Sequence, residues 1–324
     1  MVKISVIGTG HLGNIHTRLW KSNPNIELSG IYDIDEERTA KIAGEYGCKA
    51  FKTIEEALEN SDGTTIAVPT SLHHEVGLKC IDKAVHCLIE KPVTSNSIEA
   101  YDLIKKAGEK GIIIQVGHVE RFNPALASLK DFKLNPMFIE AHRLAQFKPR
   151  ATDVSVILDL MIHDIDIMLW LVKSKVSKID ANGVAVLTET PDICNARITF
   201  ENGAVANLTA SRISANPMRK MRIFQQNAYI SMDFGRQDVE IFRIMDDNEH
   251  AGIADIPATM LGTIEAGLKN KKIVYQKPVV PEFNAIAEEQ KAFIKAIEDK
   301  SPVAVSAEEA AEALRIAELI AEQL

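Results

Sequence analysis

The chain has 324 residues, of which 46% are hydrophobic and 25% are charged, as is usual for a globular enzyme and unlike a disordered, collagenous or membrane chain. This length favours two domains, each large enough to bury its own core, over a single small binding module. With 37 basic and 45 acidic side chains the formal net charge is −8, which argues against nucleic-acid or anionic-lipid partners. An anionic ligand would therefore need a local basic patch.

The cysteines and the absence of targeting signals indicate a compartment. Four cysteines without a Cys-x-x-Cys pair predict buried thiols in a reducing environment: Cys48, Cys80, Cys87 and Cys194. The first residues run straight into a glycine-rich motif and lack the apolar region of a signal peptide. No segment approaches the ~20 uninterrupted apolar residues that span a bilayer. We expect a cytoplasmic protein with no membrane partner.

The first 120 residues alternate short β-branched runs with helical patterns, which predicts a doubly wound parallel sheet of the Rossmann type. The predicted strands cover residues 3–7, 27–32, 63–68, 86–89 and 112–116. The predicted helices cover about 14–21, 36–46, 53–60, 74–83 and 97–110. Sheets of this kind bind ligands at the carboxyl ends of their strands.

Residues 121–324 show a different pattern, one helix followed by long alternating runs. The runs 197–200, 204–211, 222–233 and 239–245 predict a large, open, mostly antiparallel sheet in an α+β domain. We expect the open face to form a homodimer or homotetramer interface. Helices are predicted at 281–298 and 306–323, packed in this domain or back on the first; Ser306 and Glu309 have the spacing of a capping box.

A dinucleotide-binding fingerprint follows the first predicted strand. Gly8-Thr9-Gly10-His11-Leu12-Gly13 fits G-x-G-x-x-G and opens a predicted helix, whose N-terminus would face a pyrophosphate. Asp33 closes the second strand, where an acid accepts hydrogen bonds from the adenosine ribose and repels a 2′-phosphate. The pattern predicts NAD as cofactor in preference to NADP. Arg38 is expected on the solvated face of the next helix, and its proximity leaves NADP open.

Two motifs offer catalytic groups. Lys91, in Glu90-Lys91-Pro92, follows a strand and could stabilise an alkoxide as it forms, or be a surface lysine before a proline. Asp159 and His163 are four residues apart and share one face of a helix. His163 could take a proton from an alcohol with Asp159 orienting it, or the pair could form a salt-bridged helix start.

The sequence gives weaker signals for a metal site and for a phosphate site than for the cofactor site. His73 and His74 are adjacent and lack the i, i+4 spacing of zinc helices, so no catalytic metal is predicted and His73 is expected in a loop near the cofactor. The run from Arg143 through Lys148 to Arg150 could bind a diphosphate or be a solvated loop.

The motifs, in this order, resemble the glucose-fructose oxidoreductase and inositol dehydrogenase (Gfo/Idh/MocA) family. The resemblance also covers Val68-Pro69-Thr70 with His73, and Arg121-Phe122-Asn123-Pro124 at the domain crossover. It implies an NAD-dependent oxidoreductase with a Rossmann domain and an α/β domain that forms dimers or tetramers through its open sheet. The family also contains regulators that bind a dinucleotide without turnover; the presence of Lys91, Asp159 and His163 together favours an enzyme.

The resemblance assigns roles to individual residues. Lys91 would position the reacting hydroxyl, His163 would be the general acid/base, and Asp159 would be its partner. Residues expected at the cofactor are Gly8, Gly10, His11, Leu12, Gly13, Asp33, Thr70, His73 and Glu90, with Glu90 near the nicotinamide ribose.

The stretches 115–124 and 153–166 resemble the UDP-N-acetylglucosamine 3-dehydrogenase subgroup of that family. The subgroup oxidises the 3-hydroxyl of the sugar to a ketone before transamination in making amide-linked lipid A. Substrate contacts are then expected at His118, Arg143, Lys148 and Arg150. The alternative substrates are a free sugar, an inositol or another small molecule.

Overall fold

The chain forms two units of structure, seen in a computed structural model that describes residues 1–147, 154–246, 258–266 and 269–324. The first unit comprises Met1–Val119 with Asn284–Arg315, and the second comprises Glu120–Phe283 with Ile316–Leu324. The segment 284–315 thus packs with the N-terminal unit although it lies near the end of the chain.

A parallel sheet of six strands forms the centre of the first unit. Its strands are β1 (Val2–Ile7), β2 (Ile26–Tyr32), β3 (Lys49–Ala50), β4 (Gly63–Ile66), β5 (His86–Glu90) and β6 (Ile114–Gly117). Their order is β3-β2-β1-β4-β5-β6, so the order reverses between β1 and β4, where doubly wound sheets bind ligands. The five predicted strands are confirmed, and β3 is an additional short edge strand.

The helices of the two units follow in chain order. They are α1 (His11–Ser22), α2 (Glu36–Tyr46), α3 (Ile54–Glu59), α4 (His73–Asp82), α5 (Ser97–Lys110), α6 (Pro124–Ala127), α7 (Ile162–Val172), α8 (Ala285–Asp299) and α9 (Ala307–Ala321). The predicted bounds of α2 and α5 hold to the residue, because Asp35 and Asn96 cap their first turns with side-chain acceptors and left-handed glycines end them. The capping box is also confirmed: Ser306 and Glu309 each accept a hydrogen bond from the other's backbone N–H at 3.2 Å.

A nine-stranded sheet dominates the second unit. Its strands are β7 (Phe138–Leu144), β8 (Val176–Val184), β9 (Ile193–Phe200), β10 (Val205–Ser211), β11 (Met218–Gln225), β12 (Ala228–Asp233), β13 (Asp238–Asp246), β14 (Ala258–Ala266) and β15 (Lys269–Gln276). The order is β14-β15-β13-β12-β11-β7-β10-β9-β8, and among the described pairs only β7 and β10 run parallel. The mostly antiparallel sheet is therefore confirmed.

One predicted strand was wrong. The run 222–233 is two strands, because Gln225 pairs with Ala228 and the chain reverses over Gln226 and Asn227. This two-residue turn contains no glycine, and the alternation of apolar residues continues on both sides of it. The pattern therefore gave no sign of the reversal.

The nine-stranded sheet has two different faces. One is buried and apolar, with Ile139 on β7, Ile223 on β11 and Ile230 on β12 fully inaccessible. The other carries a row of half-exposed rings across neighbouring strands, which we call the aromatic row: Phe138, Phe224, Tyr229, Phe242 and Tyr275. Successive ring centroids are 5.8, 4.9, 5.8 and 5.1 Å apart.

The connection from β8 to β9 is held by one buried carboxylate. Asp192 accepts hydrogen bonds from the backbone N–H groups of Val186, Leu187 and Thr188 at 2.8, 2.6 and 3.0 Å. Burial opposes its ionisation, but these donors outweigh burial and lower the pKa of Asp192 to about 2. The loop is therefore organised around a charged acceptor.

We expect Asp192→Asn to lower the free energy of unfolding by about 1–3 kcal/mol at pH 7, since several N–H groups lose a charged acceptor. The folded-state pKa is depressed, so this contribution is complete above the unfolded value near 4 and is lost as the pH falls through about 2. Urea unfolding from pH 7 downward should show the difference between variant and parent narrowing below pH 4. Asp180→Asn, at an exposed carboxylate on β8, is the control; equal effects would contradict the assignment.

Two further observations bear on the sequence predictions. Along the described ranges no helix combines the length and apolarity needed to cross a bilayer. All four cysteines are free thiols, with Cys80, Cys87 and Cys194 buried.

Candidate functional site

The glycine-rich loop after β1 needs its glycines for steric reasons. Gly8 has φ +94°, and a Cβ there would lie 2.5 Å from the carbonyl oxygen of Ala67. A Cβ on Gly13 would lie 1.8 Å from the carbonyl oxygen of Gly8, so the start of α1 can pack on the loop only without a side chain. A Cβ on Gly10 would meet nothing within 4 Å. The loop is thus closed toward the protein and open above Gly10.

The N-terminus of α1 is suited to an anion. Gly10 is its N-cap and supplies no side-chain acceptor, and the first turn contains no acidic residue. The side chains of His11 and Leu12 are exposed. Uncapped N–H groups at the positive end of a twelve-residue helix attract phosphate. The loop and helix therefore fit the pyrophosphate of a dinucleotide.

Asp33 lies at the end of β2 and faces the glycine-rich loop. Its Oδ2 accepts from the backbone N–H and the hydroxyl of Thr9 at 2.6 and 3.1 Å, and its Oδ1 accepts from Arg38 at 2.8 Å. Partial burial opposes ionisation, but the N–H groups of Asp35 and Thr9 and the Arg38 guanidinium outweigh it and lower the pKa of Asp33. Asp33 is therefore a preorganised carboxylate at the carboxyl edge of the sheet.

Arg38 of α2 is exposed to solvent, as predicted, and it also contacts Asp33. Its side chain is 43% exposed, yet it pairs with Asp33 at 2.8 Å and Asp35 at 3.2 Å. The acid and the arginine thus stand together where a ribose 2′ substituent would be read.

The turn after β4 is tied to the turn after β5 by His73. Thr70 lies partly exposed in a short 3₁₀ turn, while His73 is buried with Nε2 3.0 Å from the Val68 carbonyl oxygen and Nδ1 2.9 Å from that of Pro92. Burial lowers the pKa of His73 despite these carbonyls, so the ring is neutral. The expectation of a loop residue is wrong: His73 begins α4, and its ring nitrogens face the protein's own backbone.

The ends of β5 and β6 bring three of the predicted residues to one edge. Glu90 ends β5 beside Gly117 of β6, and Lys91 and His118 follow directly. Lys91 is partly exposed, whereas His118 is buried. With the glycine-rich loop and Asp33, they occupy the carboxyl edge of the parallel sheet, as the sequence predicted for the loop and for Lys91.

Asp159 and His163 lie at the start of the α7 region in the second unit. Asp159 is in a π-helical turn, Ile157–Met161, and His163 is in the first turn of α7. Both side chains are partly exposed, while Met161 and Ile162 between them are buried. The predicted helix is confirmed, with a wider first turn than expected; π-turns of this kind often occur at functional sites.

Arg143 belongs to the interior of the second unit. It lies on β7 on the same face as Ile139 and Ala141, 3% exposed. Its Nε and Nη2 donate to both oxygens of Asp164 at 3.0 and 2.9 Å, and its Nη1 donates to Glu120 at 2.8 Å. Burial opposes its charge, but Asp164 and Glu120 outweigh burial and raise the pKa of Arg143.

The predicted diphosphate contact at Arg143 is therefore wrong, because its guanidinium is paired with protein carboxylates. The alternation of side chains along β7 places Arg143 on the buried face. Lys148 and Arg150, the other members of that basic run, lie outside the described residues. In the described ranges no group of three or more histidine, cysteine or acidic side chains is arranged to hold a metal ion.

The six-stranded order, the glycine-rich loop and the preorganised acid after β2 define a dinucleotide-binding protein of the Rossmann class. The chain belongs to the Gfo/Idh/MocA family: residues 2–118 match the oxidoreductase family model with an NAD-binding Rossmann fold, and residues 133–231 match the GFO/IDH/MocA C-terminal domain. It is an oxidoreductase of that family.

Similar proteins span the whole chain. A UDP-N-acetylglucosamine 3-dehydrogenase from Acidithiobacillus ferrooxidans is 37% identical over 303 residues, which is 93% of this chain and 90% of that protein. A solved structure of that enzyme superposes with a TM-score of 0.88 at 34% identity, covering 100% of this chain and 97% of the other. The myo-inositol 2-dehydrogenase of Thermotoga maritima is 26% identical over 336 residues, 97% of this chain and 93% of that protein.

Sequence reasoning missed the buried polar residues that hold these groups in place. In the first unit they include His16 and Gln290, and in the second Glu120 and Asp164. His16 follows Gly13 by three residues and so faces inward, which was a usable signal. The contact from His16 to Gln290 spans 274 residues, and no local pattern predicts it.

Proposed function

We propose that the protein is an NAD-dependent dehydrogenase that oxidises a secondary hydroxyl of a nucleotide sugar, UDP-N-acetylglucosamine, to its 3-keto form. The observation that carries this proposal is the 37% identity to an enzyme of that name over nearly the full length of both chains. The partly exposed Lys91, Asp159 and His163 supply the groups that such a reaction needs. The product would serve a cytoplasmic transamination leading toward amide-linked lipid A.

In the proposed reaction, separate residues of the chain would bind the cofactor, transfer the proton and stabilise the developing negative charge. The N–H groups of α1 would hold the pyrophosphate of the dinucleotide and the carboxylate of Asp33 its adenosine ribose, with Thr70 and Glu90 along the same edge. His163 takes the proton from the hydroxyl, Asp159 orients the imidazole, and Lys91 stabilises the developing oxyanion. His118 is proposed as a substrate contact. NAD, when bound, accepts the hydride from the same carbon.

A second candidate is oxidation of an inositol or a free sugar. The match to a myo-inositol 2-dehydrogenase at 26% identity over 97% of this chain favours it. The chemistry at the hydroxyl would be the same, and only the groups that bind the remainder of the substrate would differ.

The test is NADH formation by the purified protein with UDP-N-acetylglucosamine, a panel of free sugars and myo-inositol, with NADP as the control cofactor. Because oxidation to a ketone is thermodynamically uphill, a ketone trap or a coupled aminotransferase is included. Turnover with the nucleotide sugar alone supports the proposal, and turnover with myo-inositol alone supports the second candidate. Tight NAD binding without turnover of any substrate would identify a non-catalytic dinucleotide-binding regulator.

We expect Asp33→Ala to raise the KM for NAD by at least about tenfold, since a ribose hydroxyl loses a charged acceptor. The variant also releases Arg38 from its partner, so NADP should become the preferred cofactor. The kcat/KM values for both cofactors measure this. Arg38→Ala in the Asp33→Ala background should abolish the gain with NADP, and an unchanged preference in Asp33→Ala would show that Asp33 does not read the ribose.

We also propose a homodimer or homotetramer formed through the aromatic row. Five half-exposed rings in contact across five strands form a continuous apolar strip, and such strips mark protein interfaces. Phe224→Lys with Tyr229→Lys should give a monomer by light scattering. Ile98→Lys, at a residue 80% exposed on α5, is the control and should leave the mass unchanged; an oligomer that survives the double variant would place the interface elsewhere.

A further inference from the structure

Glu90 is held at both carboxylate oxygens inside the first unit. Its Oε1 lies 2.8 Å from Nε2 of His16, and its Oε2 accepts a hydrogen bond from the backbone N–H of Lys91 at 3.3 Å. His16 is on α1, three residues after the last glycine of the loop, and is 1% exposed. A Cβ on Gly117 would lie 3.0 Å from Oε2, so a side chain on the neighbouring strand would crowd the carboxylate in this position.

Gln290 of α8 determines which nitrogen of His16 carries the proton. Its Nε2 lies 3.2 Å from the carbonyl oxygen of His16 and 3.1 Å from Nδ1 of the same residue. A carbonyl only accepts, so the amide must present its NH₂ group here, and that group donates to Nδ1 as well. Nδ1 therefore holds a lone pair. A neutral ring in this state has its hydrogen on Nε2, directed at Glu90.

Glu289, which precedes Gln290 on α8, takes no part in the hydrogen bonds of His16. Glu289 is 1% exposed, and neither oxygen of its carboxyl group has a hydrogen-bond partner among the described residues. Burial, and then the charge of Glu90, raise the pKa of Glu289 well above its ordinary value. The Glu289 carboxyl is thus a weaker acid than an ordinary glutamate, and it makes no hydrogen bond to His16, Glu90 or Gln290.

We propose that Gln290 and His16 are positioning residues that fix the Glu90 carboxylate beside Lys91. Gln290 selects the Nε2–H form of His16, and this N–H orients Glu90. The C-terminal helix α8 thereby acts on the nicotinamide end of the cofactor site without touching cofactor or substrate. The inference rests on the proposed function only in giving Glu90 a place beside the cofactor.

The first measurement needs no variant. Nitrogen-15 NMR of the imidazole rings distinguishes the two neutral forms directly, and the His16 signal is assigned by its loss in His16→Gln. The wild-type protein should show His16 with its hydrogen on Nε2. A hydrogen on Nδ1 would overturn the proposal, whether or not any variant folds.

The second measurement is the Kd for NADH. Gln290→Leu should mix the two forms of His16 and raise the Kd about tenfold, as expected for one lost hydrogen bond to a charged group. Glu289→Gln, at a buried neighbouring position of α8, is the matched control and should leave the Kd unchanged, because the amide has the same shape and the carboxyl that it replaces makes no hydrogen bond to the cluster.

A double-variant comparison separates positioning from packing. In His16→Gln the new side chain places an amide N–H donor near the position of Nε2, where it can bond to Glu90. This side chain has no ring, so there is no tautomer for Gln290 to select. The variant should bind NADH within about twofold of the wild type, and adding Gln290→Leu should then change the Kd little. An equal effect of Gln290→Leu in both backgrounds would overturn the proposal. Failure of the proposed sugar oxidation is separate, since neither the ring signal nor the Kd for NADH requires a substrate.

Discussion

Lys91→Met is expected to lower kcat about a hundred- to thousandfold while the Kd for NAD changes less than about threefold. The lysine follows β5 at the carboxyl edge of the sheet, and removal of a donor that stabilises a developing oxyanion costs about 10²–10³ in rate. Methionine keeps much of the length and apolar stem of the side chain. The loss should therefore appear in turnover with little effect on stability.

His163→Asn is expected to have a similar effect through proton transfer. A positioned general base contributes about 10²–10⁴ in rate, and asparagine retains polarity without being able to take the proton. Steady-state kinetics with the substrate that the NADH-formation assay selects, together with NAD binding by fluorescence or calorimetry, measure both variants.

The controls for these two variants replace a lysine and a histidine of the first unit. Lys83→Met replaces an exposed lysine paired with Glu59, and His74→Asn replaces a histidine paired with Asp102. Neither should change kcat by more than about twofold, since surface ion pairs contribute little. Full activity of Lys91→Met or His163→Asn would remove that residue from the mechanism.

The sequence predicted most of the first unit because its signals are local. Each signal lies within a short stretch of sequence: the alternation of strands and helices, the glycines at closely packed positions, and the acid at the end of β2. Asp33 could therefore be found from spacing alone. The exposure of Arg38 was also predicted, but its contact with Asp33 was not, because an exposed helix position does not reveal that a long side chain bends back to a neighbouring carboxylate.

Arg143 illustrates what the sequence could not provide. The alternation Phe138–Leu144 did contain the signal that Arg143 shares a face with Ile139 and Ala141. Its position in a basic run nevertheless suggested a phosphate site. Only the fold brings Glu120 and Asp164, 23 and 21 residues away, to the two sides of its guanidinium.

Arg143→Met is accordingly expected to cause the largest loss of stability, about 3–5 kcal/mol in the free energy of unfolding at pH 7. Removing one partner of a buried ion pair leaves the remaining charges unsolvated. Here two carboxylates, Glu120 and Asp164, would lose their shared cation in the interior of the second unit. Chemical denaturation with two spectroscopic probes measures the change and tests for two-state unfolding.

Two further measurements test whether burial causes the loss of stability in Arg143→Met: its dependence on pH, and the same substitution at an exposed arginine. Burial raises the pKa of Asp164 above its ordinary value even beside Arg143, so without the arginine the variant should gain stability as this carboxylate protonates, and its deficit should shrink from pH 7 toward pH 5. Arg222→Met removes a comparable pair, with Glu140 at 2.8 Å, whose side chains are 41% and 31% exposed. That loss should stay below about 1 kcal/mol. Equal losses at the two arginines would mean that burial does not determine how much Arg143 contributes to stability. The conclusion that Arg143 stabilises the core, and does not bind a substrate phosphate, would then fail.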